Sequence, residues 1–217
     1  TPRSSSAASD VYKRQRIINQ DPDSLETVLN VKQVLQYLAI NILTGSWDDY
    51  RFLKNNFYLY HEPSKDMFHW IPFDYDNTFG VDWSGANWST IDPYDYANID
   101  GTPRPLTEYI FQNEKYVNLF SHFLEFYATQ LINNAYLDQR LDSIKTMIYN
   151  SVLQDTYYTY DYGFSIQDFE NSFSYSFSNQ HVKKGIKEFI QERSESLIGQ
   201  ISYQVAEPYV YAVEQFD

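Results

Sequence analysis

Two aromatic runs joined by a turn constrain this chain more than any other feature. NFYLYH (56–61) and MFHWIPF (67–73) flank Glu62-Pro63-Ser64-Lys65-Asp66. Aromatic residues favour strands and the Pro-Ser-Lys-Asp run favours a reversal, so the pattern predicts a β-hairpin. A hairpin is a stiff spacer that returns the chain to its starting point. It brings Asn56 at one end and Asp74 at the other to the same side of a cleft. The stretch from Asp48 to Gly80, with Gly45 leading in, thus collects three groups of hard oxygen donors: Asp48 with Asp49, Asn55 with Asn56, and Asp74 with Asp76. An Asp, then an Asn, then an Asp in a strand-exit turn closed by Phe79-Gly80 is the set of groups that phosphoryl transfer requires. One carboxylate orients an attacking hydroxyl. The amide and the second carboxylate hold Mg²⁺ on the nucleotide phosphates.

Each group also has a plainer reading. Asp48-Asp49 suits a helix-exit turn, and Asp74 to Gly80 suits a turn closed by Asx hydrogen bonds, in which Asn77 and Thr78 fit well. Two carboxylates as close as Asp74 and Asp76 repel unless a cation lies between them, which makes a divalent ion a physical expectation.

With these residues in view, the chain resembles the spore coat protein H (CotH) kinase family, atypical protein kinases of the secretory type. The matching segments are NVKQVLQYLAINILTGSWDD (30–49), NNFYLY (55–60), WIPFDYDNTFG (70–80) and, more weakly, helices out to about residue 201. The resemblance implies transfer of the ATP γ-phosphate to Ser/Thr hydroxyls of secreted, spore-coat or surface proteins, with Mg²⁺ or Mn²⁺. It implies a mostly helical α+β fold like the C-terminal lobe of an atypical protein kinase, with the hairpin at the active edge. In the family an Asp followed two residues later by Tyr precedes an Asn-x-Tyr segment. Asp48 with Tyr50 matches, which makes Asp48 the first choice for the catalytic carboxylate and adjacent Asp49 the second. Asn56 matches the metal-binding, nucleotide-contacting amide, with Asn55 behind it. Asp74 stands where a kinase carries its metal-binding Asp-Phe-Gly, and Asp76 supports it or binds a second metal. One departure stands out: Asp48 to Asn56 is longer than a kinase catalytic loop, as if RFLK (51–54) were inserted.

At 217 residues the chain can bury one good core, and one domain is the default. A hydrophobic content of 43% with 18% aromatic excludes a disordered chain, and 21 Tyr with 15 Phe point to an aromatic core. The balance of 16 basic against 29 acidic residues, net −13, argues against nucleic acid or an anionic membrane, which need a basic footprint. With no Cys, disulfides and Cys-ligated zinc are impossible. No apolar run is long enough to span a bilayer.

Taken in order, residues 10–15 (DVYKRQ) read as the translated end of a sequencing-library adapter, or else as part of a disordered basic arm. On the first reading residues 1–15 are foreign, residues 16–217 form the domain, and its true N-terminus lies upstream. Asp23 with Glu26 suggests a capping box on a short helix. Asn30 caps a second helix over 31–43, with Gln33 at the reciprocal position, Val31, Val34, Leu35, Leu38 and Ile42 on one face, and Gly45 as its stop. After Gly80 a polar, aromatic segment (81–104) reads as a substrate or activation loop, or as a surface loop pinned by Trp83 and Trp88. Helices follow at 106–112, 113–133, 136–153, 166–177 and 179–202. Leu137, Leu141, Ile144, Ile148 and Val152 form the core stripe of the third of these. In the last, Lys183, Lys184 and Lys187 oppose an apolar face.

Asp74-x-Asp76-x-Thr78 also fits an aspartyl-nucleophile phosphatase, but that chemistry needs a doubly wound sheet after the motif. A calcium loop fails because the twelfth position counted from Asp74 is Gly85 rather than Glu. No Gly-rich phosphate loop is present, and residues 16–30 are too few for the lobe that carries one in a kinase. The expectation is that these parts lie upstream and that residues 16–217 are inactive alone. The other class in play is a non-catalytic module that holds a surface or polysaccharide partner through residues 81–104.

Overall fold

The computed structural model describes residues 6–96, 102–160 and 162–203. Its helices are α1 (Ser6–Gln20), α2 (Val31–Thr44), α3 (Pro105–Gln112), α4 (Glu114–Gln130), α5 (Asn134–Gln154), α6 (Ile166–Ser172) and α7 (Ile186–Gln200). Strands β1 (Phe57–Glu62) and β2 (Met67–Pro72) lie between α2 and α3. The fold is mostly helical α+β, and among the described residues its sheet is this one antiparallel ribbon. The sheet that an aspartyl-nucleophile phosphatase would need is therefore missing there.

α2 is the axis of the molecule. Its N-cap is Asn30, whose side chain accepts the Gln33 N–H, and Gly45 closes it at φ 67°. The closure also needs glycine for space, because a Cβ there would lie 2.4 Å from the Phe189 ring. Val31, Val34, Leu35, Leu38 and Ile42 are all buried, but so are Tyr37, Ala39 and Leu43. The helix is enclosed on most sides, by α4, α7 and β2.

The hairpin forms in the register Phe57↔Pro72, Leu59↔Trp70 and His61↔Phe68. Phe57 and Trp70 stack at 4.3 Å and face inward against Tyr50, while Tyr58, Tyr60 and Ile71 are exposed on the other face. The ribbon is sewn to the start of α2. Phe68 N–H donates to Val28 O, Asn30 N–H to Phe68 O, and Trp70 N–H to the Gln33 side-chain carbonyl. Gln33 therefore does not reach back to Asn30 as the capping pattern suggests. The unpaired edge of β2 needs partners, and the tertiary bond takes the side chain that the local one would have used.

Other local expectations give way for similar reasons. Before α2 the chain forms a 3₁₀ turn, Pro22–Thr27, capped by Asp21 rather than Asp23, with Pro22 where a missing N–H costs nothing. Glu26 is thereby free of a capping box and accepts from the Tyr116 hydroxyl. α1 spans Ser6–Gln20, and Ile18 on it is buried. α6 stops at Ser172, and α7 starts at Ile186 rather than near 179. In the intervening segment Val182 bridges to Val81, Asp82 N–H donates to His181 O, and Lys183 N–H donates to Gly80 O. Gly185 ends this strap, because a Cβ there would meet the Ser174 carbonyl at 2.2 Å. α5 forms, but no residue on it is buried. Leu137, Leu141, Ile148 and Val152 are half-buried and Ile144 is exposed, because only α6 and α7 pack against that helix in number.

No helix among the described residues is long and apolar enough to cross a membrane.

Candidate active site

The C-terminal end of α2 feeds the site. Gly45 turns the chain, Ser46 N–H returns to Asn41 O, and Trp47 is buried with its indole N–H on Val81 O at 2.8 Å. The next two residues part company. Asp48 is half-buried, whereas Asp49 is 1% exposed. Both Asp49 oxygens are engaged inside the protein: Oδ1 accepts the Phe52 N–H at 3.0 Å and Oδ2 accepts from Asn41 Nδ2 at 2.9 Å. Burial raises its pKa to about 6, against the opposing pull of those hydrogen bonds and of the Arg51 charge.

The long spacing between Asp48 and Asn56 is taken up by a folded turn. Leu53 and Asn55 N–H groups both return to Asp49 O. Arg51 and Phe52 are buried, and the Arg51 guanidinium donates to Pro93 O and Tyr94 O. Lys54 and Asn56 take left-handed φ values of 63° and 61°, which reverses the chain. The result is that both asparagines come back to Asp48. Asn55 Nδ2 donates to Asp48 Oδ1 at 2.9 Å, and Asn56 Nδ2 donates to Asp48 O at 2.8 Å. RFLK thus serves as the anchor of the loop.

The other end of the hairpin arrives at the same place. Phe73 N–H donates to Asn56 O at 3.2 Å, one residue before Asp74. Asp74 is exposed at φ 58°, and Asp76 is exposed with one oxygen taken by Asn77. The turn is hung on α2 by Tyr75, whose hydroxyl donates to Asn41 Oδ1, and by Phe79, whose N–H donates to Thr44 O. Asp48, Asn55 and Asn56 are therefore joined through side-chain bonds. Asp74 is joined to them through the backbone, and Asp76 lies two residues farther along.

A family model described as CotH kinase protein matches residues 11–197. The chain belongs to the CotH kinase family. It is also 27% identical, over 129 residues, to the inner spore coat protein H of Bacillus subtilis. That alignment covers 59% of this chain and 33% of the relative, so the match spans about a third of that protein's length.

Every candidate site residue of this CotH kinase domain falls within the matched span. Among the described residues no three His, Cys, Asp or Glu side chains converge as a ready metal set. What the site offers is a mixed set of hard oxygens. Because Asn56 Nδ2 is held by the Asp48 carbonyl, the atom that Asn56 leaves open is its amide oxygen. Asp74 is exposed, one residue past the Phe73 N–H that donates to Asn56 O. Hard oxygen donors of this kind suit Mg²⁺ or Mn²⁺. Reasoning from sequence missed Asn41, Tyr75, Arg51 and Arg193. A signal for Asn41 was present: it stands three residues past Leu38 and seven past Val34, on the apolar face, where a polar side chain must find a partner.

Proposed function

We propose that this CotH kinase domain transfers the γ-phosphate of ATP to Ser/Thr hydroxyls of a protein substrate, with the spore coat or cell surface as its setting. The supporting observation is the double engagement of Asn56. Its amide nitrogen holds the Asp48 carbonyl and its backbone carbonyl holds the strand end that leads to Asp74. One residue thus links the Asp48 backbone to the strand end that precedes Asp74, and in this reading that link holds the two carboxylates and the amide at one site, as phosphoryl transfer requires.

In this reading Asp48 is the base and Asp49 a buried support, since both Asp49 oxygens are occupied. Asp48 takes the proton of the attacking hydroxyl through the oxygen that Asn55 leaves free. The hydroxyl oxygen bonds to the γ-phosphorus, the bond to the β–γ bridging oxygen breaks, and ADP leaves with that electron pair. The Asn56 amide oxygen and Asp74 would hold Mg²⁺ or Mn²⁺, with Asp76 in support. The ion would neutralise charge on the β- and γ-phosphates.

Calorimetry on the full-length protein tests this directly. Mg²⁺–ATP or Mn²⁺–ATP binding is expected, and Asp74→Ala is expected to abolish it. Asp48→Asn is expected to retain nucleotide while losing about 10²–10⁴ in kcat. No binding with metal present would sink the reading. It would favour a binding module instead, whose surface would be Trp83, exposed and stacked on His181 at 4.1 Å.

A further inference from the structure

Asn41 is the polar exception on the apolar face of α2. It is 1% exposed, and a buried carboxamide is costly unless its groups are engaged. Nδ2 donates to Asp49 Oδ2 at 2.9 Å, and Oδ1 accepts from the Tyr75 hydroxyl at 2.8 Å. These two partners flank the proposed chemistry: Asp49 follows Asp48, and Tyr75 follows Asp74.

Asp74 is exposed in a left-handed conformation, which persists only where neighbours over-determine it. The neighbours that do so are Phe73, bonded to Asn56 O on one side, and Tyr75, bonded to Asn41 on the other. The Phe73 contact is backbone to backbone and would survive most substitutions. The Tyr75 contact depends on a single side chain on α2.

We propose that Asn41 is a positioning residue. Through Asp49 and Tyr75 it sets the separation of Asp48 and Asp74, and so governs how well the site takes a metal–nucleotide. The assignment rests on the phosphotransfer reading above. Asn41 itself need touch neither substrate nor metal. A carboxamide suits the task because it presents one donor and one acceptor. An aspartate at this place would face the Asp49 carboxylate with a like charge.

The test uses the full-length protein with three changes: Tyr75→Phe, Asn41→Asp, and Asn41→Asp combined with Asp49→Asn. The last exchanges carboxylate and carboxamide across the same contact and restores the pairing of donor with acceptor. Measured for each are Mn²⁺–ATP affinity, melting temperature, and amide exchange over residues 74–77. Tyr75→Phe and Asn41→Asp are each expected to weaken Mn²⁺–ATP by about tenfold or more. Both should also speed exchange at residues 74–77 while the amides of β1 and β2 keep theirs. The exchanged pair should recover wild-type affinity. For Tyr75→Phe the melting temperature should fall by only about a few degrees, the cost of leaving Asn41 Oδ1 unpaired, while the β1 and β2 amides keep their protection, so the lost affinity is not lost fold. Unchanged affinity and exchange in Tyr75→Phe would overturn the positioning role and leave the phosphotransfer reading standing. Failure of the unsubstituted protein to bind Mn²⁺–ATP would overturn both.

Discussion

Asp48 and Asp49 are chemically identical neighbours that the fold has made into different groups. Asp48 keeps contact with solvent and one open oxygen. Asp49 is sealed in, and burial lifts its pKa from 3.8 to about 6. The folded protein therefore holds this proton over a range in which the unfolded chain has already released it. Stability from Asp49 is fully present below about pH 4 and is lost as pH rises through about 6, the reverse of an ion-paired carboxylate. Asp49→Asn removes that dependence. Denaturant titrations at pH 5 and pH 7 should show the wild type losing roughly 1 kcal/mol relative to the variant across that interval. Equal shifts in both proteins would contradict the burial argument. Asp82 behaves in the opposite sense. It is also buried, but hydrogen bonds from Ser84, Trp88 and Gly85 outweigh the desolvation and hold its pKa below the usual value.

At the scale of elements, α2 and α5 have comparable apolar stripes and unlike fates. α2 is wrapped by α4, α7 and the hairpin, so Leu38 on it is 1% exposed. α5 lies at the edge of the molecule with α6 and α7 against it, and Leu141 stays half-buried. Leu38→Ala is expected to cost about 2–5 kcal/mol, as a cavity in a closed core does, and Leu141→Ala less than about 1.5 kcal/mol. Urea denaturation of the two variants checks this, and equal losses would place α5 in the core. Periodicity alone cannot separate the cases, because it reports which face is apolar and not how much of that face is covered. The hairpin was easier to read. Its turn and both strands are local, and the alternation of Phe57 and Leu59 with Tyr58 and Tyr60 already marks the inner face.

For the whole molecule, the decisive contacts join parts of the chain that sequence does not bring near. Arg193 on α7 is fully buried and donates to Ile42 O at 2.9 Å and to Ile91 O at 2.7 Å. Arg51 donates to Pro93 O and Tyr94 O in the same loop. Together they fasten the segment after Gly80 to α7, which also holds the end of α2, and to the turn that follows Asp49. Burial lowers the Arg193 pKa to about 10, so the group stays charged at neutral pH and depends on those carbonyls. Arg193→Ala should cost about 3 kcal/mol or more, from lost charged hydrogen bonds and a cavity. Arg140→Ala, on the exposed side of α5, should change stability by less than about 0.5 kcal/mol. A small effect at Arg193 would show that the loop is held by its aromatic contacts instead, among them Trp88 against Phe52.

What the sequence by itself determined is what depends on neighbours along the chain. That covers the hairpin, the cap at Asn30, the glycine stop at Gly45, the apolar face of α2, and the order of Asp48, Asn56 and Asp74. Tertiary structure decided which of two adjacent carboxylates faces inward and which apolar stripe is covered. It also turned Gln33 and Asn41 to distant partners and delayed the start of α7 to Ile186, after Gly185. The reason is physical: a side chain's propensity acts over three or four residues, whereas burial and the satisfaction of a buried polar group depend on whatever the rest of the fold packs against it.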